Sequence, residues 1–174
     1  MGLKELKKQI SKEMFHSKEV FLTAHKEIDL DAFASMVGFS LISKKYKNKT
    51  YLIIDDKEIE PATKQALNSV KSKINIITSK NAKELITKKS ILYILDTNKP
   101  KLICCENLLE NFKEVTVIDH HTKSQETLKS KKLYIDEKST STCEIVANLL
   151  NKFRIKVPNQ YATLMLGGIA LDTN

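Results

Sequence analysis

The sequence predicts an α/β fold: an open, mainly parallel β-sheet with helices on both faces. Short apolar segments rich in Val and Ile alternate along the chain with stretches of helical periodicity, and this alternation is typical of right-handed β-α-β crossovers. Three of the predicted strands run directly into His or Asp. A length of 174 residues with 41% hydrophobic residues suits one domain with a packed core.

The first half of the chain supplies most of the predicted helices and strands. Leu3, Leu6, Ile10 and Met14 recur at helical spacing, and Pro61 lies early in a helix, where proline is tolerated. Glu13, Glu27 and His16 are interpreted as surface residues. The predicted elements are helices at 3–16, 31–46, 61–70 and 82–87, and strands at 20–24, 51–54 and 74–78.

The second half repeats the pattern. Strands are predicted at 91–95, 115–118 and 133–135, helices at 102–111 and 144–150, and a last apolar segment at 158–170. Ser141 and Glu144 have the Ser-x-x-Glu spacing of a capping box. The start of such a helix offers free backbone N–H groups to an anion, although on spacing alone plain capping is the better explanation. The candidate substrate contacts are Ser139, Thr140, Ser141 and Thr142.

Composition and cysteine content bound the function further. The net charge of +8 comes almost entirely from lysine and favours anionic partners such as nucleotides, nucleic acid or anionic lipid, although solvated lysines scattered over the surface account for it too. No apolar run approaches the roughly 18 residues of a membrane span. Cys104, Cys105 and Cys143 fit no thiolate zinc pattern, and we expect three reduced cysteines in a cytoplasmic domain.

The candidate functional residues follow the ends of three predicted strands. His25 follows the first strand, with Asp29 and Asp31 close behind; Asp96 follows 91–95; and Asp119-His120-His121 follows 115–118. In open parallel sheets, ligands bind in the crevice beyond the carboxyl ends of the strands. Each piece alone fits a turn, a helix cap or packing, but together they predict a metal site. Mixed imidazole and carboxylate ligands suit manganese, iron, zinc or magnesium.

These segments, in this order, resemble the four motifs of the DHH phosphoesterase superfamily. The segments are His25-x-x-x-Asp29-x-Asp31, Asp96, Asp119-His120-His121 and Gly168-x-x-x-Asp172-Thr173. The residues flanking Asp96, those flanking the Asp-His-His run and the segment 139–146 are most similar to multidomain, often membrane-anchored cyclic-di-AMP phosphodiesterases. Ile28 departs from the pattern, because many relatives have proline there; the change affects loop stiffness and removes no ligand.

The resemblance implies a role for each motif residue. His25, Asp29 and Asp96 would hold one Mn²⁺, and Asp31, Asp96, His120 and Asp172 the other, with Asp96 bridging. His121 would face the substrate phosphate and Asp119 would orient the histidines, which makes these two the candidate catalytic residues. Mg²⁺, Co²⁺ or Fe²⁺ would be substitutes for manganese.

The implied function is hydrolysis of cyclic-di-AMP to the linear dinucleotide by attack of a hydroxide that bridges two Mn²⁺ ions. The alternatives are an oligoribonuclease or 3′-phosphoadenosine-phosphate phosphatase of the same superfamily, and a nucleotide-binding module without turnover. The expected partner is a small nucleotide and not a long nucleic acid; a homodimer is allowed.

Residues 1–174 are expected to form one DHH catalytic domain. The family's second domain, with its glycine-rich nucleotide-gripping loop, is expected to be absent from this chain, which has 4 glycines. Any membrane attachment would come from domains outside it.

Overall fold

The computed structural model describes residues 2–55, 59–129 and 132–173. Its strands are β1 (Glu19–Thr23), β2 (Lys49–Ile53), β3 (Ile76–Ile77), β4 (Ser90–Leu95), β5 (Glu114–Asp119) and β6 (Leu133–Ile135). Its α-helices are α1 (Leu3–His16), α2 (Leu30–Lys45), α3 (Pro61–Val70), α4 (Ser79–Leu85), α5 (Thr142–Lys152) and α6 (Asn159–Asp172). The predicted fold class is confirmed, and each predicted strand is present with boundaries within two residues.

The six strands form one parallel sheet in the order β3-β2-β1-β4-β5-β6. The chain therefore builds outward from β1 to β3, returns to place β4 on the other side of β1, and continues to β6. The strand order reverses between β1 and β4, and in open α/β sheets the crevice at such a reversal is where ligands bind. His25 follows β1 and Asp96 follows β4, so both lie at this crevice.

Successive side chains of a strand point to opposite faces of the sheet. Alternate residues of the strands therefore belong to two separate hydrophobic cores. Val20 and Leu22 face the larger core with α1, α2, α3, α5 and α6. Phe21 faces the smaller one, which is closed by α4 and by the segment from Ile103 to Phe112. Helical cover on both faces explains why the central strands β1 and β4 are almost continuously apolar and buried.

The predicted helix at 102–111 is wrong. The structure has two short 3₁₀ segments there, Pro100–Leu102 and Glu106–Asn111. Between them the backbone pairs with the loop after β1: Cys104 N donates to Ala24 O at 2.9 Å, and Lys26 N donates to Leu102 O at 2.8 Å. These bonds to a distant part of the chain take the groups that a continuous α-helix would need.

The interpretation of Glu13 as a surface residue is also wrong. Glu13 is buried on the inner face of α1 and accepts hydrogen bonds from the Tyr93 hydroxyl at 2.6 Å and from Thr116 Oγ1 at 3.2 Å. Lys132 Nζ lies 2.9 Å from its carboxylate. Glu13 is thus a neutralised buried acid that fastens α1 to β4 and β5, whereas His16 and Glu27 are exposed as predicted.

Among the residues described, no helix combines the length and the apolar character that crossing a bilayer would require.

Candidate metal centre

The sequence-predicted ligands converge beyond the carboxyl ends of β1, β4 and β5. Asp29 caps the amino end of α2 by accepting from Ala32 N, and this cap fixes the loop that carries His25. Asp31 follows in the first turn of α2, and Asp172 is the last residue of α6. His25, Asp29, Asp31, Asp96, His120 and Asp172 are all buried or half-buried.

Three overlapping groups of side chains are close enough to hold cations, since the ligand atoms within each group lie within 4.8 Å of one another. The groups are His25-Asp29-Asp96, Asp31-His120-Asp172 and Asp96-His120-His121. His25 Nε2 lies 3.5 Å from Asp96 Oδ2, and His120 Nε2 lies 3.5 Å from Asp96 Oδ1. One oxygen of the Asp96 carboxylate therefore faces His25, and the other faces His120.

The main chain and a hydroxyl hold Asp96 in this central place. Asp96 has a φ of 63°, in the left-handed region that Asp tolerates better than most residues. Its N–H donates to Ile118 O at 3.1 Å, and its Oδ1 accepts from Thr142 Oγ1 at 2.8 Å. The turn after β4 is thereby fixed against both β5 and α5.

Asp31 is held by the start of α5. Thr142 N donates to Asp31 Oδ2 at 2.8 Å, and Cys143 N donates to Asp31 Oδ1 at 2.9 Å. The prediction of free N–H groups for a substrate anion is therefore wrong at these positions, because the anion at this helix start is a side chain of the protein itself. Ser141 caps the helix by accepting from Glu144 N.

Of the four predicted substrate contacts, Ser141 and Thr142 are fully buried, whereas Ser139 and Thr140 reach the surface.

Gly168 allows α6 to approach α2 closely. A Cβ at this position would lie 3.0 Å from Asp31 Cα and 2.9 Å from Cys143 Sγ. A glycine one turn before Asp172 therefore lets the end of α6 reach the cluster.

Two carboxyl groups of the cluster, those of Asp96 and Asp172, have raised pKa values. Burial raises the pKa of Asp96 to about 8, with a further contribution from the charges of Asp31 and Asp29. Burial likewise raises the pKa of Asp172, again with Asp31 and Asp29 adding to it. Burial opposes protonation of His25, but its hydrogen bonds to Asp29 and Asp96 outweigh burial and raise its pKa to about 10.

Bound cations would satisfy the side chains of this cluster better than hydrogen bonds among the side chains themselves do. Among the described residues, the buried His120 Nε2 has no hydrogen-bond partner, although Asp172 Oδ2 lies 3.3 Å away. A buried polar atom without a partner is rare in a folded protein and calls for an explanation. Clustered acids, an orphaned imidazole nitrogen and the absence of thiolates among these groups together suit a divalent ion bound by oxygen and nitrogen.

His121 differs from His120 in its contacts. Its Nδ1 lies 2.8 Å from Asp119 Oδ1, and its ring is half exposed to the cavity. The hydrogen bond to Asp119 raises the pKa of His121 to about 9, against the opposing effect of burial. His121 therefore lies at the edge of the cluster, held by Asp119 and open to the cavity.

Sequence reasoning missed Asn98. It lies two residues after Asp96 and is 1% exposed, and its Nδ2 donates to Asp119 Oδ2 at 2.7 Å. From the sequence alone, the Asp-Thr-Asn run fits a turn after a strand and lies among the residues flanking Asp96 that resemble the family. Neither observation assigns a role to Asn98 itself.

The cluster opens into a cavity of about 800 Å³. His25, Asp29, Asp96, His121 and Asp172 form its floor. Lysines and acids form the rest of the lining together with a few uncharged side chains, among them Lys26, Glu27, Glu60, Lys99 and Leu102. The chain thus has a charged pocket large enough for a small phosphorylated molecule.

Comparison with known proteins places the chain in a family. Residues 19–169 match the DHH family, N-terminal domain, and the chain belongs to this family of phosphoesterases. The cyclic-di-AMP phosphodiesterase PdeA of Listeria monocytogenes is 32% identical over 164 residues, which are 90% of this chain and 25% of that protein. The cyclic-di-AMP phosphodiesterase GdpP of Bacillus subtilis is 29% identical over the same shares of the two chains.

Two further similarities extend the comparison. The bifunctional oligoribonuclease and PAP phosphatase NrnA of Mycoplasma genitalium is 25% identical over 159 residues, 90% of this chain and 46% of that protein. The crystal structure of an exopolyphosphatase-related protein from Bacteroides fragilis has a TM-score of 0.80 at 17% identity, covering 98% of this chain and 50% of that one; it establishes the fold alone.

The resemblance inferred from the sequence is confirmed. The chain spans about a quarter of the length of the phosphodiesterases it matches.

Proposed function

We propose that this chain is the catalytic domain of a manganese-dependent phosphodiesterase that hydrolyses cyclic-di-AMP to the linear dinucleotide. The observation that carries the proposal is the central position of Asp96, which has one carboxylate oxygen facing His25 and the other facing His120. A carboxylate shared in this way is what two ions about 3.5–4 Å apart need in phosphoryl hydrolysis. Similarity to PdeA and GdpP supports the choice of substrate.

The proposed ligands fall into two sets that share Asp96. His25 and Asp29 would complete the first site, and Asp31, His120 and Asp172 the second. Ions bound there would polarise a phosphoryl oxygen and lower the pKa of a bound water. Manganese suits this mixed donor set, and Mg²⁺, Co²⁺ or Fe²⁺ are expected substitutes.

The remaining site residues would bind the substrate phosphate or orient other residues of the site. His121, whose pKa is raised to about 9, donates a charge-assisted hydrogen bond to a non-bridging phosphate oxygen as charge develops there. Asp119 holds the His121 ring in place at 2.8 Å. Thr142 holds the shared carboxylate of Asp96, so the metal ligands do not have to reorganise when substrate enters.

Recognition of the base is assigned to a different part of the protein. The described lining of the cavity is mainly ionic and suits phosphate, whereas a selective pocket needs polar groups placed around the base. We propose that a second domain supplies these groups, and that Ser139, Thr140 and Lys123 add only phosphate contacts. The isolated chain is then expected to bind cyclic-di-AMP, its linear product and other short dinucleotides with low affinity and little selectivity.

The test is turnover by the purified chain with Mn²⁺, followed by chromatography of the products. Cyclic-di-AMP should yield the linear dinucleotide, and Asp96→Asn should yield none. PdeA serves as the positive control for the assay. Hydrolysis restricted to a short oligoribonucleotide or to 3′-phosphoadenosine phosphate would favour an activity like that of NrnA. A folded, metal-loaded chain that hydrolyses none of these substrates would contradict the catalytic proposal and favour a nucleotide-binding module.

A further inference from the structure

Asn98 is almost fully buried among the residues that line the cavity, and it forms hydrogen bonds with neighbouring segments. Its Nδ2 donates to Asp119 Oδ2 at 2.7 Å and to the His121 carbonyl at 3.2 Å. Its Oδ1 accepts from Thr127 Oγ1 at 3.0 Å. These partners fix which way the amide points, because a carboxylate and a carbonyl can only accept.

Asp119, which Asn98 holds in place, in turn fixes the orientation of the His121 ring. The Asp119 carboxylate is fully buried, and its Oδ1 accepts from the His121 backbone N–H at 3.2 Å and lies 2.8 Å from Nδ1. A carboxylate can rotate about its Cβ–Cγ bond, which would move Oδ1 away from the ring. The donor that Asn98 places on Oδ2 opposes this rotation, so the ring of His121 keeps Nε2 toward the cavity.

A purely structural role for Asn98 is the competing explanation. Asn98 also anchors the loop after β5, because its carbonyl accepts from Leu128 N at 2.7 Å in addition to the Thr127 contact. The two roles use different atoms of Asn98: the anchor uses Oδ1 and the backbone carbonyl, whereas Nδ2 faces Asp119 and the His121 carbonyl. Substitution of Thr127 therefore tests the anchor while leaving the amide donors in place.

We propose that Asn98 is a positioning residue, which acts through Asp119 to hold His121 toward the substrate phosphate. The consequence for turnover rests on the proposed function, whereas the consequence for the ring does not. Asn98 belongs to none of the three ligand groups, so Asn98→Ala should leave the manganese affinity close to that of the wild type. It should lower turnover by about 10- to 100-fold, the usual effect of losing an outer partner of a site residue.

The first test is NMR of the histidine rings in metal-free or Mg²⁺-loaded protein. The wild type should show a protected His121 Nδ1 proton, and this signal should disappear in Asn98→Ala and in Asn98→Asp, whose added carboxylate repels Asp119. Thr127→Val should keep it. Asn48→Ala is the matched control, since Asn48 also donates from its amide to two carbonyls, those of Met14 and Ser17, away from the site. An unchanged signal in Asn98→Ala would overturn the proposal.

The second test is a double-mutant cycle in turnover. If Asn98 acts through His121, Asn98→Ala should lower turnover in the wild type but have little further effect in His121→Ala. Fully additive losses would overturn the proposal. A wild-type chain without any turnover would count against the proposed function alone, because the NMR comparison needs no substrate and would still decide the role of Asn98.

Discussion

Two buried polar clusters lie along the same strands, and they differ in how their buried charges are compensated. Near the middle of β4 and β5, Glu13 is neutralised by Lys132 and receives hydrogen bonds from Tyr93 and Thr116. Beyond the carboxyl ends of these strands, Asp96 lies among other acids, and the buried His120 Nε2 has no partner among the described residues. The first cluster pairs its own charges, whereas the second has the donor set of a cation site.

The difference separates a structural acid from a functional one. A buried carboxylate that is paired and hydrogen-bonded stabilises its surroundings, and removing it leaves its partners unsatisfied. A buried carboxylate held next to other carboxylates destabilises the protein until a cation arrives.

Loss of the shared carboxylate should have the largest effect. Asp96→Asn should reduce turnover by well over the roughly 100-fold expected for an outer partner, and should weaken binding at both metal sites, because one carboxylate serves both. Asn is chosen because it tolerates the positive φ of residue 96. Turnover and calorimetric Mn²⁺ titration measure the two effects. Wild-type affinity at both sites in this variant would show that Asp96 is not shared.

Loss of the structural acid should affect stability and spare catalysis. Glu13→Ala leaves the hydroxyls of Tyr93 and Thr116 without their acceptor and removes one of the carboxylates beside Lys132, which keeps its ion pair with Glu114. It should lower the free energy of unfolding by about 3 kcal/mol. Lys12→Ala, on the exposed face of the same helix, is the control and should change it by less than about 0.5 kcal/mol. Denaturant unfolding gives both values. A Glu13→Ala variant as stable as the control would remove the contrast between the clusters.

Proton binding should distinguish the metal-free protein from the loaded one. In the metal-free protein, burial raises the pKa of Asp96 from an ordinary value of 3.8 to about 8. For His25, burial is outweighed by hydrogen bonds to Asp29 and Asp96, which raise its pKa from 6.5 to about 10. Both groups take up protons on folding, so the stability of the metal-free protein should fall as the pH rises from about 4 to about 10.

Metal must displace these protons, so the apparent Mn²⁺ affinity should rise over the same pH interval and binding should release protons. Calorimetry in buffers of different ionisation enthalpy measures the release. An affinity that is independent of pH would contradict this account of the cluster.

The smallest effect should appear in metal-free protein. Asp96→Asn removes a carboxyl group that has to take up a proton on folding. It should therefore raise the free energy of unfolding at neutral pH by about 1 kcal/mol, the scale of one pKa unit. Saturating Mn²⁺ should then stabilise the wild type more than the variant, with about 2.7 kcal/mol expected at a free concentration 100 times the Kd. If Asp96→Asn destabilised the metal-free protein as Glu13→Ala does, the two clusters would not differ in kind.

The sequence was sufficient for the sheet and for the convergence of the site residues, because both follow from local patterns. Apolar runs of β-branched residues end at His25, Asp96 and Asp119, and parallel strands bring their carboxyl ends to one edge. The sequence alone could not predict the contacts between distant segments. The helical spacing of Leu6, Ile10 and Met14 places Glu13 on the inner face of α1. Its partners Tyr93 and Lys132 lie far away in the sequence, so no local pattern indicates that a charged residue can be buried there.

The start of α5 shows the same limit. A capping-box spacing predicted the helix, and α5 is present, but the spacing could not reveal that its first N–H groups face Asp31 from α2. Likewise, the segment at 102–111 has helical periodicity, and its pairing with the loop after β1 overrides that preference.

The central claim is that the cluster around Asp96 holds two ions, and anomalous diffraction from crystals soaked in Mn²⁺ tests it most directly. The account predicts two peaks about 3.5–4 Å apart. Both should contact Asp96, one also contacting His25 and Asp29 and the other His120 and Asp172. A single peak at saturating Mn²⁺, or two peaks that do not share Asp96, would contradict it.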